Sequence, residues 1–399
     1  MHLGGRRIPA FQGGVLQRGT RRIAFVRRAY TPFGGAERFL DQVASRFAER
    51  GGDVHLVCET WRGEDRAGLT VHAVGSVPLG RTLSSVLFVR RVREALLTIQ
   101  PDVTVSFDRI LDADIYRAGD GCHRAWLDRR GLRGRLDARF SPFHRWILHL
   151  ERRLYAGGGA RLIAANSTLV SKEISRYYGT PSGRIVVLPN GVDLDRFHPE
   201  LRLRWRSGVR RDWGIGDDVP VFLFLGSGFE RKGLTPLIEA LGRSAGREGT
   251  GRFLLAVAGK GDPGPYRRAA KRLGIDGDIK WLGPVKDPER LLGAADVFVL
   301  PTLYDPFSNA CLEAMAAGVP VVTTRDNGAA EVVEEAGAGW VIDSAGDVEG
   351  LSRSIAASCD PSERENRGRL AREAASRLSL DRFVEGMVRL IEGLGEKET

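Results

Sequence analysis

The sequence contains few cysteines and no long run of apolar residues. No cysteine is close enough to another to form a C-x-x-C pair, which argues against a zinc site or a disulfide framework and favours free buried thiols in a reducing cytosol. The longest apolar runs, such as Val221–Leu225 and Phe253–Ala258, are far shorter than the roughly 20 residues of a membrane-spanning helix. We therefore expect a cytoplasmic protein without a transmembrane segment. The four cysteines are Cys58, Cys122, Cys311 and Cys359.

Several motifs of nucleotide and hydrolase chemistry are also missing. There is no G-x-G-x-x-G fingerprint, no P-loop and no G-x-S-x-G elbow, which argues against a dinucleotide cofactor, P-loop nucleotide binding and serine hydrolysis. The histidines are not grouped at the spacing of metal ligands. We expect neither an organic cofactor nor a bound metal ion.

Charge is distributed unevenly along the 399 residues, a length that fits two domains better than one. Lysine and arginine outnumber aspartate and glutamate by 31 to 17 before residue 185, whereas the ratio is 29 to 33 from there on. The net charge of +10 therefore comes from the N-terminal half. Such asymmetry indicates that this half meets a polyanion, whether nucleic acid, anionic lipid or a phosphorylated substrate.

Short apolar runs alternate with helical patterns in both halves, which is typical of doubly wound α/β sheets. We predict two Rossmann-like domains, at residues 21–187 and 188–378, flanked by a loose extension at residues 1–20 and a C-terminal helix at residues 379–399. Ligands of such domains bind beyond the carboxyl ends of the strands, here in a cleft across which the domains face each other. Strands are predicted at Arg22–Val26, Val54–Cys58, Val71–Val74, Val103–Phe107, Leu162–Ala165, Val221–Leu225, Phe253–Ala258, Ile279–Leu282, Val297–Leu300 and Val319–Thr323.

The loop after the Val221–Leu225 strand places two adjacent cations, Arg231 and Lys232, among glycines ahead of a predicted helix. Arginine offers a planar fork of donors and lysine a point charge, so together they can clamp a diphosphate. The alternative is a solvated pair on a surface loop.

A second group follows the Val297–Leu300 strand. Asp305 lies in the loop, Ser308 is a predicted N-cap, and Glu313 lies about one turn into the helix, so both carboxylates can face one cleft. The N–H groups of Ser308 and Asn309 at the helix N-terminus are suited to bind phosphate.

Candidates in the N-terminal half are weaker. Gly34 and Gly35 follow the first strand and open a helix, where an anion could approach the backbone, although a plain strand-to-helix turn is the alternative. Asp120, beyond the Val103–Phe107 strand, is a candidate for the cleft. Asp112 and Asp114 form a D-x-D pair that could hold a metal, but a single-domain metal-dependent transferase would leave the second half unexplained.

Together these segments resemble the GT-B-fold, family-4 retaining glycosyltransferases, from about Arg22 to the C-terminus. The resemblance rests on A-N-S at 165–167, L-P-N-G-V-D at 188–193, R-K-G at 231–233, and Asp305-x7-Glu313 with A-M-A-A-G-V-P-V-V after it. Within the family the sequence is most similar to glucosyltransferases of lipopolysaccharide core heptose, through T-P-F-G-G at 31–35, S-F-D-R-I at 106–110 and D-I-Y-R-A-G-D-G-C at 114–122. It departs from the family at Ser227, where most members carry the arginine, at Asp305, where they carry a glutamate, and at Ser308, where they carry a glycine.

The resemblance implies a part for each candidate. Arg231 and Lys232 would hold the diphosphate of a nucleotide sugar, UDP-glucose in the most similar enzymes, and Glu313 would bind its ribose. Asp305 and the helix N-terminus at residues 308 and 309 would position the transferred sugar and its phosphate. Gly34 and Gly35 would close the site from the first domain, and the C-terminal helix would cross back to that domain. The implied catalytic residues are Asp305, Asp120, Arg231 and Lys232, and no metal is required.

Residues 124–153 contain nine arginines interleaved with aromatic and aliphatic residues. Such a stretch is suited to lie on an anionic bilayer, where a lipid-linked phosphorylated acceptor is presented. The alternative is a basic helical insertion that covers the N-terminal core. We expect peripheral membrane binding and no nucleic-acid partner.

Other functions share parts of this pattern. A family-4 mannosyl- or other hexosyltransferase could act on a different glycolipid or polysaccharide, and a GT-B-like nucleotide-sugar epimerase would have no separate acceptor site. A glycoside phosphorylase needs a pyridoxal-bearing lysine, for which the sequence offers no candidate. A basic nucleic-acid or lipid-binding protein would have no use for Arg231, Lys232 and Glu313.

Overall fold

The computed structural model describes residues 22–29, 44–45, 47–49, 51–61, 68–244 and 252–394. The predicted extension at residues 1–20 and the Gly34-Gly35 pair lie outside these described residues. The chain divides into two compact units. The N-terminal unit contains the residues up to Pro189 and those from Asp381 onward, and the C-terminal unit is Asn190–Leu380.

The N-terminal unit is built on a parallel sheet of seven strands. The strands are β1 (Arg22–Ala29), β2 (Asp53–Thr60), β3 (Leu69–Ala73), β4 (Val103–Ser106), β5 (Ala113–Ala118), β6 (Ala160–Ala165) and β7 (Ile185–Val187). The helices that the structure describes in full are α1 (Gly80–Ile99), α2 (His123–Arg129), α3 (Gly131–Phe140), α4 (Pro142–Tyr155) and α5 (Thr168–Tyr178). The strand order β3-β2-β1-β4-β5-β6-β7 reverses direction between β1 and β4, which is where ligands of doubly wound sheets bind.

The C-terminal unit has a parallel sheet of six strands in the same kind of order. The strands are β8 (Val221–Leu225), β9 (Leu254–Ala258), β10 (Ile279–Gly283), β11 (Val297–Leu300), β12 (Val321–Thr324) and β13 (Gly339–Ile342). The helices are α6 (Leu201–Trp213), α7 (Leu234–Ser244), α8 (Gly264–Arg272), α9 (Pro288–Ala294), α10 (Asn309–Ala316), α11 (Ala330–Ala336), α12 (Val348–Ala357) and α13 (Pro361–Ser376). The order β10-β9-β8-β11-β12-β13 has its switch point between β8 and β11. Every residue of β9 and β11 is buried, as expected for parallel strands covered on both faces.

The last helix, α14 (Leu380–Gly393), belongs almost entirely to the N-terminal unit. Its apolar face is buried there, with Phe383, Val384 and Met387 each at most 2% exposed. At Gly386, an added Cβ would lie 2.5 Å from Cδ1 of Leu188, so glycine permits this close packing. The chain therefore returns to its first unit, as predicted.

The predicted fold class, two Rossmann-like doubly wound domains, is confirmed, but the sequence prediction omits β5, β7 and β13. β5 contains Asp114 and Arg117, which interrupt the apolar pattern. Arg117 is nevertheless only 1% exposed, because its Nη1 donates to the carbonyl of Ala164 at 3.0 Å and its guanidinium lies 5.2 Å from the ring centroid of Phe383. The other two strands, of three and four residues, lie at the edges of their sheets, and most of their residues are only half-buried.

Candidate functional site

In the C-terminal unit, the loops after β8 and β11 are bonded to each other at the carboxyl edge of the sheet. The carbonyl of Arg231 accepts hydrogen bonds from the Leu303 amide and the Thr302 hydroxyl, both at 2.9 Å. Arg231 Nη1 donates in turn to the carbonyl of Tyr304 at 3.0 Å. The backbone around the two predicted cations is therefore fixed before any ligand is bound.

Gly233 makes this contact between the loops possible. It has a φ of +80°, and an added Cβ would lie 1.9 Å from the carbonyl oxygen of Pro301. Only glycine adopts this conformation without strain and also leaves room for the neighbouring backbone. The glycine of the R-K-G motif therefore sets the position of Arg231 and Lys232.

Lys232 and Asp305, predicted to act on different parts of the donor, are in direct contact. Lys232 Nζ forms a hydrogen-bonded ion pair with Asp305 Oδ2, and the two side chains are only 12% and 8% exposed. The Asp305 backbone is held as well, since its amide donates to the carbonyl of Asp326 at 3.0 Å and its carbonyl accepts from the Gly328 amide at 2.9 Å. A paired cation and carboxylate thus lie where a doubly wound sheet binds its ligand.

The N-terminus of α10 differs in part from the prediction. Ser308 is the N-cap, as predicted, and its hydroxyl accepts a hydrogen bond from the Cys311 amide at 3.4 Å. The Ser308 amide, however, donates to Oδ1 of Asn327 at 3.2 Å, so the expectation that it faces a phosphate needs correction. Asn309 follows in the first turn, and its Oδ1 accepts from Nδ2 of Asn190 at 2.6 Å.

Asn327, in the turn after β12, was not a candidate from the sequence. It is 1% exposed, and its Oδ1 also accepts from the Ala329 amide at 3.1 Å. Its Nδ2 donates to the hydroxyl of Thr323 at 2.9 Å and to Sγ of Cys311 at 3.3 Å. Only the Asn-Gly dipeptide after an apolar run signals a turn here, and that signal does not reveal a link to α10.

Glu313, the predicted ribose ligand, is half-buried on α10. Its neighbours Leu312 and Ala314 are buried, so Glu313 stands on the more open side of a helix that otherwise packs into the core. The helix N-terminus, Glu313 and the Lys232–Asp305 pair all belong to the loops and helices that follow β8 and β11.

The cysteines do not offer a reactive nucleophile. All four are free thiols, and Cys58, Cys122 and Cys311 are buried. Burial raises the pKa of Cys311 to about 12 and that of Cys58 to about 11. These thiols are therefore protonated at neutral pH and behave as small apolar residues.

In the N-terminal unit, Asp120 lies just beyond the carboxyl end of β5. Its Oδ1 is 4.0 Å from Nη1 of Arg27, its Oδ2 is 3.7 Å from Nη1 of Arg109, and its side chain is 46% exposed. A second carboxylate, Asp108, accepts from the Arg28 amide at 2.6 Å and lies 3.6 Å from Nη1 of Arg27. Burial raises the pKa of Asp108, although the charge of Arg27 opposes this shift. Asp120 is thus an accessible carboxylate with an arginine on either side, and neither arginine was a candidate from the sequence.

The geometry does not support the alternative interpretation that Asp112 and Asp114 form a metal-binding D-x-D pair. Asp112 and Asp114 lie at the start of β5 and therefore at the opposite edge of the sheet from Asp120. Asp114 Oδ2 accepts from the Thr104 amide at 2.9 Å, and its Oδ1 is 3.5 Å from Nη1 of Arg161. Across the described ranges, no three His, Cys, Asp or Glu side chains come together in a way that could hold a metal ion.

The basic stretch at residues 124–153 forms α2, α3 and α4, and its aromatic residues do not all face outward. On α4, Ile147 and Leu150 are buried, and Trp146 Nε1 donates to the hydroxyl of Ser85 on α1 at 3.1 Å. This helix covers the core, as the alternative interpretation holds. No helix in the described part of the chain is long and apolar enough to span a membrane.

The outward-facing apolar residues of the stretch lie on α3. Leu132, Leu136 and Phe140 are 73%, 49% and 66% exposed and recur every four residues, so they share one helical face. Three arginines of α3 are exposed beside them. We call this set the α3 face: Leu132, Arg133, Arg135, Leu136, Arg139 and Phe140.

Comparisons with known proteins agree with this architecture. The profile of glycosyltransferase family 4 matches residues 33–196, and that of glycosyl transferases group 1 matches residues 206–376. The chain is 28% identical over 321 residues to the lipopolysaccharide glucosyltransferase WaaG of Escherichia coli K12, a match that covers 80% of this chain and 84% of WaaG. It is 35% identical over 139 residues to the lipopolysaccharide core biosynthesis glycosyltransferase LpsE of Rhizobium meliloti, covering 35% of this chain and 39% of LpsE.

Solved structures give the same result. The crystal structure of WaaG, a glycosyltransferase involved in lipopolysaccharide biosynthesis, superposes with a TM-score of 0.81 at 26% identity, covering 93% of this chain and all of that one. Anabaena HepE in complex with UDP-glucose shares the fold, with a TM-score of 0.70 at 21% identity over 94% of this chain and 99% of HepE. The chain therefore belongs to the GT-B glycosyltransferases, with a family 4 domain followed by a group 1 domain.

Proposed function

We propose that this glycosyltransferase moves a hexose, namely glucose, from UDP-glucose to a lipid-linked glycan such as lipopolysaccharide core, with retention of configuration. The observation that carries the proposal is the Lys232–Asp305 pair at the carboxyl edge of the C-terminal sheet, with Arg231 beside it and the N-terminus of α10 beyond it. The likeness to WaaG over most of both chains supports the choice of donor and acceptor.

The chemistry requires that negative charge on a departing nucleoside diphosphate be stabilised. Arg231 and Lys232 would supply fixed positive charge to the diphosphate, and donors that are held in place before the reaction stabilise developing charge most effectively. Glu313 would accept hydrogen bonds from the ribose hydroxyls. Asp305 would release part of its contact with Lys232 and bind hydroxyl groups of the transferred sugar.

The bonding changes are balanced without a protein nucleophile. The bond between the anomeric carbon and the phosphate oxygen breaks, and the acceptor hydroxyl forms a new bond to that carbon from the same face. The departing phosphate accepts the proton of the hydroxyl. Asp120, on the N-terminal unit, would bind and orient the acceptor. No metal is needed, because the two cations already supply the counter-charge.

The acceptor side is proposed to work at the cytoplasmic surface of the membrane. The excess of basic residues before residue 185 and the α3 face, with its arginines beside exposed Leu132 and Phe140, support peripheral binding to anionic lipid. A lipid-linked acceptor would be presented at the same surface.

The test is a transfer assay with UDP-glucose, UDP-galactose and GDP-mannose as donors and a heptose-containing lipid as acceptor, with the anomer of the product read by NMR. We expect UDP-glucose to be preferred and an α-linked product. Preference for GDP-mannose would favour the mannosyltransferase alternative, and interconversion of nucleotide sugars without acceptor would favour an epimerase. Turnover of no donor would contradict the proposal.

A pair of matched variants tests the site itself. Glu313→Gln should raise the donor KM at least about tenfold, since a lost hydrogen bond to a charged group amounts to roughly 1.5–3 kcal/mol. Glu331→Gln, at an exposed position on α11, should leave it unchanged. Equal donor KM values for the two variants would show that Glu313 does not bind the donor.

A further inference from the structure

A buried glutamate lies behind Asp120 in the N-terminal unit. Glu151, on α4, is fully buried, and its two carboxylate oxygens accept five hydrogen bonds. Oε1 accepts from Nε and Nη2 of Arg109 at 3.1 and 3.0 Å and from the His123 amide at 2.6 Å. Oε2 accepts from the Arg124 amide at 3.2 Å and from the Tyr178 hydroxyl at 2.7 Å. A buried carboxylate is tolerated only when it is paired and bonded in this way.

The first consequence concerns the orientation of Arg109. Glu151 occupies the Nε and Nη2 edge of the guanidinium, and Nη2 also donates to the carbonyl of Gly121 at 2.9 Å. Because the guanidinium is planar and rigid, these bonds fix the remaining nitrogen, Nη1, which lies 3.7 Å from Asp120 Oδ2. Glu151 therefore determines where positive charge is presented to Asp120.

The second consequence concerns the backbone that follows Asp120. Residues 123 and 124 begin α2, directly after the N-cap residue, Cys122. Glu151 supplies the cap from a different helix by accepting both amides, and a carboxylate at a helix N-terminus also interacts favourably with the helix dipole. The loop that carries Asp120 is thus held by Arg109 at Gly121 and by Glu151 at the start of α2.

We propose that Glu151 is the positioning residue of the acceptor side, acting on Asp120 through Arg109 and through the N-terminus of α2. The proposal rests on the proposed function, in which Asp120 orients the acceptor hydroxyl. Asp120 is 46% exposed, so burial of its own side chain does not hold it in place. Glu151 touches neither substrate; it holds the groups around Asp120 in a single arrangement, and a shift of about 1 Å at a reacting group reduces rates roughly 100-fold.

The experiment compares Glu151→Gln with Glu173→Gln. Glu173 is a matched control, because it is also a buried glutamate of this unit and its Oε1 lies 2.7 Å from Nη1 of Arg129 at the other end of α2. We expect Glu151→Gln to lower kcat/KM for the acceptor about 10- to 100-fold while the donor KM stays within twofold. Glu173→Gln should leave both values near those of the wild type. Equal losses in the two variants would mean that Glu151 only stabilises the unit, and would overturn the proposal.

A double-mutant cycle shows whether Glu151 acts through Asp120. If it does, adding Glu151→Gln to Asp120→Asn should reduce transfer little beyond the loss caused by Asp120→Asn alone. Multiplied losses would overturn the proposal. If Glu151→Gln does not fold, Arg109→Lys takes its place in the same cycle, since it keeps the charge but loses the planar fork.

Amide hydrogen exchange of the peptide at residues 120–126 provides a readout that does not depend on transfer. Glu151→Gln should accelerate exchange there, and Glu173→Gln should not. Unchanged exchange would contradict the part assigned to Glu151, whatever the activity. Absence of transfer by the wild-type enzyme, with accelerated exchange in Glu151→Gln, would contradict only the proposed function.

Discussion

The two units hold their candidate residues in different ways. In the C-terminal unit, Arg231 and Asp305 are fixed by backbone hydrogen bonds between adjoining loops. In the N-terminal unit, Asp120 is surrounded by the side chains of Arg27 and Arg109, which come from β1 and from the loop after β4. The site in the C-terminal unit therefore depends on backbone bonds between loops together with one buried ion pair, whereas the site in the N-terminal unit depends mainly on side chains, among them the Arg109–Glu151 pair with its fully buried carboxylate. Backbone contacts tolerate most side-chain changes, whereas a buried ion pair fails when one partner is removed.

The largest expected effect is the loss of activity when the charge of Lys232 in the C-terminal unit is removed. Lys232→Met should reduce kcat/KM about 10²- to 10³-fold, since this is the usual cost of losing one preorganised group that stabilises developing charge. Steady-state kinetics with saturating acceptor measure the reduction in kcat/KM for the donor. Lys271→Met, at an exposed position on α8, is the control.

The same variant leaves Asp305 buried without its lysine, so it should also be less stable than the wild type. Adding Asp305→Asn should restore much of the free energy of unfolding without restoring activity. Near-normal kcat/KM in Lys232→Met would contradict the assignment of Lys232 to the donor site. The difference between the two units would then have no bearing on activity.

The backbone contact that distinguishes the C-terminal unit can be broken by one methyl group. Gly233 and Gly228 have nearly equal φ values, +80° and +78°, but an added Cβ meets Pro301 O at 1.9 Å in the first case and open space in the second. Both alanine variants bear the cost of a left-handed conformation, roughly 1–2 kcal/mol. Gly233→Ala should add the clash and lower the free energy of unfolding by about 3 kcal/mol or more. Urea denaturation measures both; equal values would show that the loops are not fixed by this contact.

The sequence is more informative about the C-terminal unit than about the N-terminal unit for the same reason. The strands β8, β9 and β11 are unbroken apolar runs followed by glycine or proline, so their positions and the residues that follow them could be predicted. β5 could not, because Arg117 within it is stabilised by partners on β6 and α14. Propensity and periodicity describe local structure, and these contacts are not local.

The same limit applies to the candidate residues. Lys232 and Asp305 could each be selected from their motifs, but they are 73 positions apart, and their pairing follows only from the adjacency of β8 and β11. Arg109 and Glu151 are 42 positions apart and lie in no motif that signals their contact. The Ser308 amide was predicted to bind phosphate because a helix begins there, and Asn327, from the turn after β12, overrides that expectation.

A third effect tests the proposed membrane-binding surface of the N-terminal unit. Replacing Arg133, Arg135 and Arg139 with glutamine should weaken binding to anionic vesicles by about 1 kcal/mol per residue. The control removes three arginines from the C-terminal unit, Arg353, Arg369 and Arg377, whose side chains are 69%, 68% and 70% exposed. Vesicle flotation with anionic and neutral lipids compares the two. Equal losses in the two triple variants would mean that the effect comes from net charge alone. Equal binding of the wild type to anionic and neutral vesicles would contradict the proposed membrane surface.

The smallest effect concerns pH, and it follows from where the histidines are. The C-terminal unit contains only His198, whereas the described part of the N-terminal unit includes His72, His123 and His144, each with a lowered pKa. Burial, and then the charge of Arg109, lowers the pKa of His123 to about 3. Each of these histidines therefore takes up its proton at a lower pH in the folded unit than in the unfolded chain, where histidine binds protons below pH 6.5 or so. Their contribution to stability is full above that pH and is progressively lost as the pH falls below it, over a range that extends to about pH 3 for His123.

Urea midpoints read separately for the two units, by hydrogen-exchange mass spectrometry of peptides from β4 and β11, test this difference between pH 7 and pH 5. The N-terminal unit should lose at most about 2 kcal/mol for each histidine that remains neutral in the folded state, and the C-terminal unit should change less. His123→Gln should flatten the dependence of the N-terminal unit, because glutamine binds no proton in either state. If both midpoints fall together, the two units unfold as one, and the side-chain network around Asp120 is no more sensitive to acid than the backbone-held loops around Lys232.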